Sequence, residues 1–251
     1  MNNFLNEVWA VVLRDLKKRE TFLKYFLGII LTASIIFLIG VSFDTFIDFS
    51  RYGSSYSRFF SPAIIVYLIA MTGIQIGIEL VIDKKGFIKL LLVAPISRYS
   101  ILFGKILSGF ITSLKFYFLI IVIFLLLFNE FNFIKIIWIL LFIFFIIILF
   151  HSFGLWLSSL FESRETAQNV VGFLSFAILF LSGIFYPIQA LPKFIQYLIY
   201  INPLTYAVDL FRFITVGEYL FPLALNIIIL SIFGIIFMLL GVYQFDRNLR
   251  K

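Results

Sequence analysis

Apolar residues are concentrated in long, continuous blocks along this chain. Six apolar stretches each reach about 20 residues, the length that a helix needs to cross the hydrocarbon core of a bilayer. They run over approximately residues 24–42, 62–82, 105–128, 135–160, 166–186 and 221–244. Because lipid offers the backbone no hydrogen-bond partners, each stretch is predicted to be an α-helix. The pattern therefore predicts an all-α membrane protein with six transmembrane helices.

A different pattern precedes the first stretch and predicts an amphipathic helix over residues 3–18, within an interface segment 3–22. At 100° per residue, apolar side chains occupy one arc and polar ones the opposite arc. The apolar arc holds Leu5, Val8, Trp9, Val12, Leu13 and Leu16, and the polar arc holds Asn3, Glu7, Arg14, Lys17 and Lys18. Such a helix is typical of the membrane interface. A simple lipid anchor and a helix that also contacts a cytoplasmic partner both fit.

The composition agrees with a chain whose solvent is mostly lipid. Of its 251 residues, 63% are apolar and 13% are charged, and the mean hydropathy is +1.11. A soluble domain is nearer half apolar and about one quarter charged. Cysteine is absent, which excludes disulfides and thiolate metal sites. No internal repeat or soluble linker is visible, so residues 1–251 are predicted to form one domain, without a cleaved signal peptide.

Lysine and arginine flank the apolar stretches, so the net charge of +7 indicates topology and not nucleic-acid binding. With the N-terminus inside, fourteen basic residues lie on the cytoplasmic side and five outside. The cytoplasmic ones are Arg14, Lys17, Lys18, Arg19, Lys24, Lys84, Lys85, Lys89, Arg98, Lys105, Arg164, Arg247, Arg250 and Lys251. The outer ones are Arg51, Arg58, Lys135, Lys193 and Arg212. This asymmetry predicts a multi-pass protein of the cell membrane with both termini in the cytoplasm.

The link between the second and third stretches, residues 84–98, is predicted to be cytoplasmic but is partly apolar. Its centre, 87–94, lies between basic residues. Pro95 disfavours helix at the preceding residue, and Ser97 is placed to cap the helix that follows. A short apolar helix here suits docking into a groove on another protein. A loop that folds back onto the lipid interface is the alternative.

The segment between the fifth and sixth stretches is interrupted by Pro187, Pro192 and Pro203. Its apolar part, 194–201, is too short to span a bilayer. These features predict re-entrant half-helices, which are tolerated where protein or a cavity covers the backbone. Asp209 and Arg212 stand three apart on a helix and can pair.

Both segments resemble the corresponding loops of ABC type-2 export permeases, most closely the daunorubicin-resistance and multidrug efflux branch. The first match comprises Asp83, Gly86, Leu90, Leu91, Pro95, Ile96, Ser97, Arg98, Gly104 and Lys105. The second runs from Gly183 through Pro187 and Pro192 to Asn202, Pro203, Tyr206, Asp209 and Arg212. The resemblance implies that the first segment is a coupling helix, contacted by an ATPase through Gly86, Phe87, Leu90, Leu91, Pro95 and Arg98. Lys89 departs from the family, which often has an acidic residue there.

The resemblance also implies partners: a separate ATPase subunit that holds ATP and magnesium, and a second permease subunit, identical or similar. It implies export, and the greasy outer segment suits an amphiphilic or lipid-like substrate. No G-x-x-x-x-G-K-[ST] loop is present, because Lys105 is followed by Ile106. The chain is therefore expected to bind no cofactor and to be a transporter subunit, not an enzyme.

Polar residues within the stretches are the candidates for a transport pathway or an ion pair. Charges in lipid cost about 3 kcal/mol on insertion scales, so Glu79 and Lys115 are hypothesised to pair. His151 near mid-span is expected to be a hydrogen-bonded packing residue or a substrate contact. Gln75, Gln168 and Asn169 are further candidates for the bundle interior.

Three other functions are weighed against ATP-driven efflux. A polysaccharide or teichoic-acid exporter would share this architecture. An ATP-independent secondary carrier would show inverted repeats and mid-membrane acidic residues, and the sequence has neither. An intramembrane enzyme would need paired catalytic groups, and His151 is the single histidine.

Overall fold

The computed structural model describes residues 2–18, 31, 34–36, 38–40, 42–46, 49, 55–82, 97–127, 132–161 and 164–249. All regular secondary structure in these residues is helical. We label the longer helices α1 (Asn2–Lys18), α2 (Tyr56–Ile82), α3 (Arg98–Leu127), α4 (Phe133–Ser159), α5 (Arg164–Phe180), α6 (Lys193–Ile201), α7 (Pro203–Thr215) and α8 (Leu223–Leu249). A short apolar helix also covers Ser34–Phe46, and a single 3₁₀ turn covers Ile188–Ala190.

Four helices in the described part of the chain are long and apolar enough to cross a membrane. Their candidate spans are Tyr56–Ile78, Phe103–Leu126, Phe133–Leu157 and Leu223–Gln244. They correspond to the second, third, fourth and sixth predicted stretches. The first stretch lies largely outside the described residues, and its end overlaps the short apolar helix Ser34–Phe46. The fifth corresponds to the shorter apolar helix Glu165–Phe180.

The fifth predicted stretch was placed too far along the chain, because α5 ends at Phe180 and not near residue 186. A turn follows in which Gly183 has φ +67°, a conformation that L side chains rarely adopt. The side-chain amide of Asn202 also donates to the carbonyls of Ile178 and Leu181, at 3.0 and 2.7 Å. These bonds satisfy carbonyls that the end of a helix leaves open. Apolarity continues beyond Phe180, but the helix does not.

Helices α2 and α4 form the centre of the bundle because their backbones approach very closely. A Cβ added at Gly77 would lie 2.3 Å from the carbonyl oxygen of His151. A Cβ added at Gly154 would lie 2.3 Å from the carbonyl oxygen of Ile74. Gly73 and Gly77 have the G-x-x-x-G spacing that permits such contact between membrane helices. The pair therefore packs as one unit, with α8 against the other side of α4.

Two short helices pack at opposite ends of this bundle. At the α1 end, α1 lies against the beginning of α3. At the α7 end, α7 packs against α2, α4 and α8 near the beginning of α2 and α8. Every side chain from Leu204 to Arg212 is buried. The charged side chains that the bundle buries lie at these two ends.

Candidate functional site

Asn202 organises the chain where α6 gives way to α7. Its Oδ1 accepts a hydrogen bond from the backbone N–H of Leu204 at 3.0 Å, so it caps the N-terminus of α7. Pro203 then occupies the first helical position, where its missing N–H costs nothing. Because the same Asn202 side chain also caps the end of α5, one residue sets the junction of two helices.

Arg212 ties α7 to α2 and to the turn that follows α5. Its Nε donates to the carbonyl of Phe59 at 3.0 Å, and its Nη2 donates to the carbonyl of Gly183 at 3.1 Å. The guanidinium also lies 3.6 Å from the centre of the Phe59 ring. Burial lowers the pKa of Arg212 to about 9, and the charges of Asp209 and Glu218 oppose this shift, so the side chain remains a cation at neutral pH.

Asp209 ties α7 to the beginning of α8. Its carboxylate accepts hydrogen bonds from the backbone N–H groups of Leu220 and Phe221, at 2.6 and 3.0 Å. It accepts a third from the side-chain amide of Asn226 at 2.8 Å. The N–H groups of a turn have no helical partners, so a buried carboxylate is well suited to satisfy them.

The predicted pairing of Asp209 with Arg212 is wrong. The two side chains leave α7 in different directions, and each bonds to groups on another segment. Their charges still interact, since the carboxylate of Asp209 raises the pKa of Arg212 against the effect of burial. Together they make α7 a clamp on three elements, and we call these two residues the α7 clamp.

The other residues singled out between the fifth and sixth stretches lie at helix boundaries. The carbonyl of Pro187 accepts from Ala190 and opens the 3₁₀ turn, and that of Pro192 accepts from Ile195 and Gln196 at the beginning of α6. The hydroxyl of Tyr206 donates to the carbonyl of Tyr200 at 2.8 Å. The cavity beside the α7 clamp holds about 80 Å³, enough for a few water molecules. The arrangement is built to hold geometry, not to bind a large ligand.

At the α1 end, Glu7 of α1 caps a helix to which it does not belong. Its Oε2 accepts from the backbone N–H of Ser97 at 3.0 Å and from the hydroxyl of Ser100 at 2.6 Å, at the N-terminus of α3. The hydrogen bond from Ser100 and then that from Ser97 lower the pKa of Glu7. A carboxylate at this position also interacts favourably with the helix dipole. The helical pattern predicts only that Glu7 lies on the polar face of α1, not that it caps α3.

A buried ion pair fastens the other end of α1 to α3. The Nζ of Lys105 lies 3.1 Å from Oδ2 of Asp15, and each side chain is 8% exposed. Ser108 donates to the same oxygen at 3.3 Å, and Arg14 donates to Oδ1 at 2.6 Å. Burial would raise the pKa of Asp15, but the charges of Lys105 and Arg14 and their hydrogen bonds lower it overall. We call Glu7, Asp15 and Lys105 the α1 latch.

Gly104 lets α1 approach α3 closely enough for this latch to form. A Cβ at Gly104 would lie 2.6 Å from Cβ of Val11. The Gly104-Lys105 pair, first noted as part of a motif, thus has a local structural role. Asp15 follows Val8 by seven residues and Val11 by four, so its helical position already marked it for burial.

The apolar arc predicted for α1 is divided between two surfaces. Val8 and Val12 of this arc are buried against the bundle, together with Val11 beside them. Leu5 and Trp9 are 60% and 51% exposed and point elsewhere, as does Leu13. α1 therefore packs on its own chain with one face and presents a second apolar face outward.

Most of the predicted ATPase-coupling residues fall outside the described residues. Those that fall outside are Gly86, Phe87, Leu90, Leu91 and Pro95. Arg98 is the first residue of α3, and its side chain also lies outside the described part.

The Glu79–Lys115 pair also stays a prediction. Glu79 lies near the end of α2 and its side chain is likewise outside the described part, while the Lys115 side chain is exposed on α3.

His151 is buried in α4 at 1% exposure. Among the described residues, neither of its ring nitrogens has a hydrogen-bond partner. Gln75, Gln168 and Asn169, expected in the bundle interior, are exposed on the surface of this chain. No group of three His, Asp or Glu side chains within the described ranges could hold a metal ion.

Two comparisons with known proteins agree on a family. A family described as "ABC-2 family transporter protein" matches residues 40–243. The chain is also similar to "Putative transport permease ycf38" of Cyanophora paradoxa, with 31% identity over 223 residues. That alignment covers 84% of this chain and 74% of the relative. With its long apolar helices, the chain is a membrane-embedded permease that belongs to the ABC-2 transporter family.

Proposed function

We propose that this chain is the membrane-spanning permease subunit of an ATP-driven exporter and that a separate ATPase subunit supplies the energy. The sequence has no phosphate-binding loop, so ATP and magnesium would bind on the partner. The main support for the proposal is the position of the proposed coupling segment, 84–98, which connects the end of α2 to the beginning of α3.

The two helices that flank this segment differ in what holds them. α2 is packed tightly on α4, whereas the beginning of α3 is held by the α1 latch. A push from an ATPase on the segment would act on α3 and α1 against the fixed α2–α4 pair. A movement of this kind needs only to shift a two-state equilibrium by a few kcal/mol.

The proposed assembly is a dimer of permease subunits, each with six spans, cytoplasmic termini and re-entrant α6 and α7 on the outer side. Gln75, Gln168 and Asn169 support it, because three amide side chains exposed to lipid would be costly. A second subunit against α2 and α5 would cover them or enclose a pathway between the copies. Exposed Phe173, Phe176 and Phe180 on α5 would give that pathway an apolar wall, suited to an amphiphilic or lipid-like cargo.

Co-purification tests the proposal directly. The tagged chain is purified in several mild detergents together with candidate ATPase subunits encoded beside it, and the bound ATPase is quantified. Leu90→Asp should abolish the association, because it places a charge in the proposed docking helix. Leu198→Asp, an exposed residue of α6 at the other end of the bundle, is the matched control.

Retention of the ATPase by Leu90→Asp, or its absence from the wild-type preparation in every detergent, would contradict the proposal. Uptake of a fluorescent amphiphile into inverted vesicles then tests the cargo. Transport of a polysaccharide precursor in its place would favour the glycan alternative.

A further inference from the structure

A groove lined by nothing but apolar side chains lies between α4, α7 and α8. Its volume is about 440 Å³, within the range of about 300–1,000 Å³ of sites for small molecules. The side chains that define it are Trp138, Phe142 and Phe145 of α4, Leu210 and Phe213 of α7, and Ile227 of α8. It lies apart from the α7 clamp and from the exposed amide groups of α2 and α5.

The groove has a buried floor and exposed walls. Phe142 and Leu210 at the floor are 4% and 7% exposed. Trp138 and Ile227 in the walls are 58% and 45% exposed. Both α4 and α8 are long and apolar enough to cross the membrane, so the open side faces hydrocarbon. Hydrocarbon chains therefore reach the floor without passing through water.

Two polar side chains lie at one end of the groove. Lys135, one helical turn before Trp138, donates through Nζ to the carbonyl of Thr215 at 3.0 Å. Asn132 caps the beginning of α4 by accepting from the N–H of Ile134. A tryptophan beside a lysine at a helix end is typical of the level where lipid headgroups begin. The order along the groove is thus cation, then tryptophan, then hydrocarbon.

We propose that this groove holds one acyl chain of an anionic phospholipid, drawn from the leaflet at the α7 end, with the phosphate near Lys135. The lining is hydrocarbon apart from the indole N–H of Trp138, which favours a hydrocarbon chain, and Lys135 supplies charge complementarity at the rim. A helix of a second copy is about 10–12 Å wide and would rest on the walls without filling the floor. The exposed amides of α2 and α5 mark a different face for such a copy.

The bound chain would contact the helix that carries the α7 clamp. Leu210 and Phe213 of α7 line the groove, and Asp209 and Arg212 lie on the adjacent face of the same helix. An occupied groove would therefore hold α7 against α4 and α8 from the lipid side. This makes the lipid a stabiliser of the clamp, whatever the transported cargo is.

Photolabelling tests the site independently of transport. The full chain is placed in nanodiscs of phosphatidylcholine and phosphatidylglycerol that contain a phosphatidylglycerol with a diazirine in its acyl chain. Labelled peptides are then quantified by mass spectrometry. Labelling should concentrate on the 138–145 and 210–214 peptides. Ile227→Trp should reduce it roughly tenfold, because the indole occupies space that several methylenes would fill.

Ile228→Trp is the matched control, because Ile228 is the next residue of α8, 54% exposed, and does not line the groove. Labelling of the 138–145 peptide should be unchanged in this variant. Equal labelling in wild type and Ile227→Trp would overturn the proposal. So would efficient crosslinking of single-cysteine Ile227→Cys chains to each other, which would assign the groove to a second copy.

A change in the headgroup of the probe tests the role of Lys135. When the diazirine probe carries a phosphatidylcholine headgroup, wild-type labelling should fall several-fold relative to the anionic probe. Lys135→Gln should remove this difference between the probes. Equal labelling by both probes in the wild type would overturn the role of Lys135 and reduce the site to a non-selective acyl groove.

Discussion

The α7 clamp and the α1 latch both use charged side chains to fasten a short helix to the bundle, but they use them differently. In the clamp, Asp209 and Arg212 bond mainly to backbone groups of turns and helix ends. In the latch, Asp15 bonds to the side chains of Lys105, Arg14 and Ser108. Glu7 bonds to a single backbone group, the N–H of Ser97, and to the hydroxyl of Ser100. Backbone partners belong to the fold itself, whereas side-chain partners can rotate away. The comparison indicates a fixed α7 end and a separable α1 end.

Loss of Arg212 should produce the largest effect. Arg212→Met leaves the carbonyls of Phe59 and Gly183 without their donors and removes the contact with the Phe59 ring. We expect a loss of about 3 kcal/mol in the free energy of unfolding, because bonds to charged groups are the stronger class. Thermal unfolding in nanodiscs measures it. Lys193→Met, exposed on neighbouring α6, is the control, and equal stability of the two variants would contradict the rigid clamp.

Loss of Lys105 should have a smaller and local effect. Lys105→Met removes the amine from Asp15, but Arg14 remains beside the carboxylate. We expect α1 to open more easily by roughly 1–2 kcal/mol, less than for a buried charge that loses its sole partner. Hydrogen exchange of the α1 amides reports this opening. Exposed Lys193→Met on α6 is the control, and loss of protection throughout the chain would argue against a separable α1.

Acidification should release α1 with the smallest effect of the three. Folding lowers the pKa values of Glu7 and Asp15, so both carboxylates stabilise the docking of α1 fully when the pH is above their unfolded-state pKa values. This stabilisation is lost as the pH falls through their folded-state pKa values, below about pH 4. The chain has no cysteine, so a nitroxide on Asn6→Cys reports α1 alone.

Two further variants define that titration. Glu7→Gln should increase the mobility of the label at neutral pH, since it weakens the cap on α3. A nitroxide on Tyr197→Cys in α6 should not respond over the same range. Simultaneous mobilisation of both labels would show that acid unfolds the bundle as a whole.

The membrane-crossing helices were predictable because their signal is local. Length, apolarity and the need to satisfy the backbone identify α2, α3, α4 and α8 without knowledge of any neighbour. The end of α5 was not predictable from the same signal. Ile184 and Phe185 continue the apolar run, but the positive φ at Gly183 and the cap from Asn202 stop the helix.

The candidate site was predictable in its residues but not in its bonds. The sequence motif points to Asn202, Asp209 and Arg212, and all three hold α7 in place. Helical spacing predicts a pair between Asp209 and Arg212, because contacts between residues three apart on a helix can be inferred from sequence alone. Arg212 instead bonds to Phe59, 153 residues away, and that contact depends on how α2 and α7 pack.

The sequence by itself determined that this chain lies in a membrane as a set of helices, and its motifs indicated the transporter family. Hydrophobic length and helical periodicity are properties of single segments, so they need no tertiary structure. Only the tertiary structure decided which charges meet, that Glu7 caps α3, and that α4, α7 and α8 leave a groove between them. Each of these depends on the packing of segments that are distant along the chain.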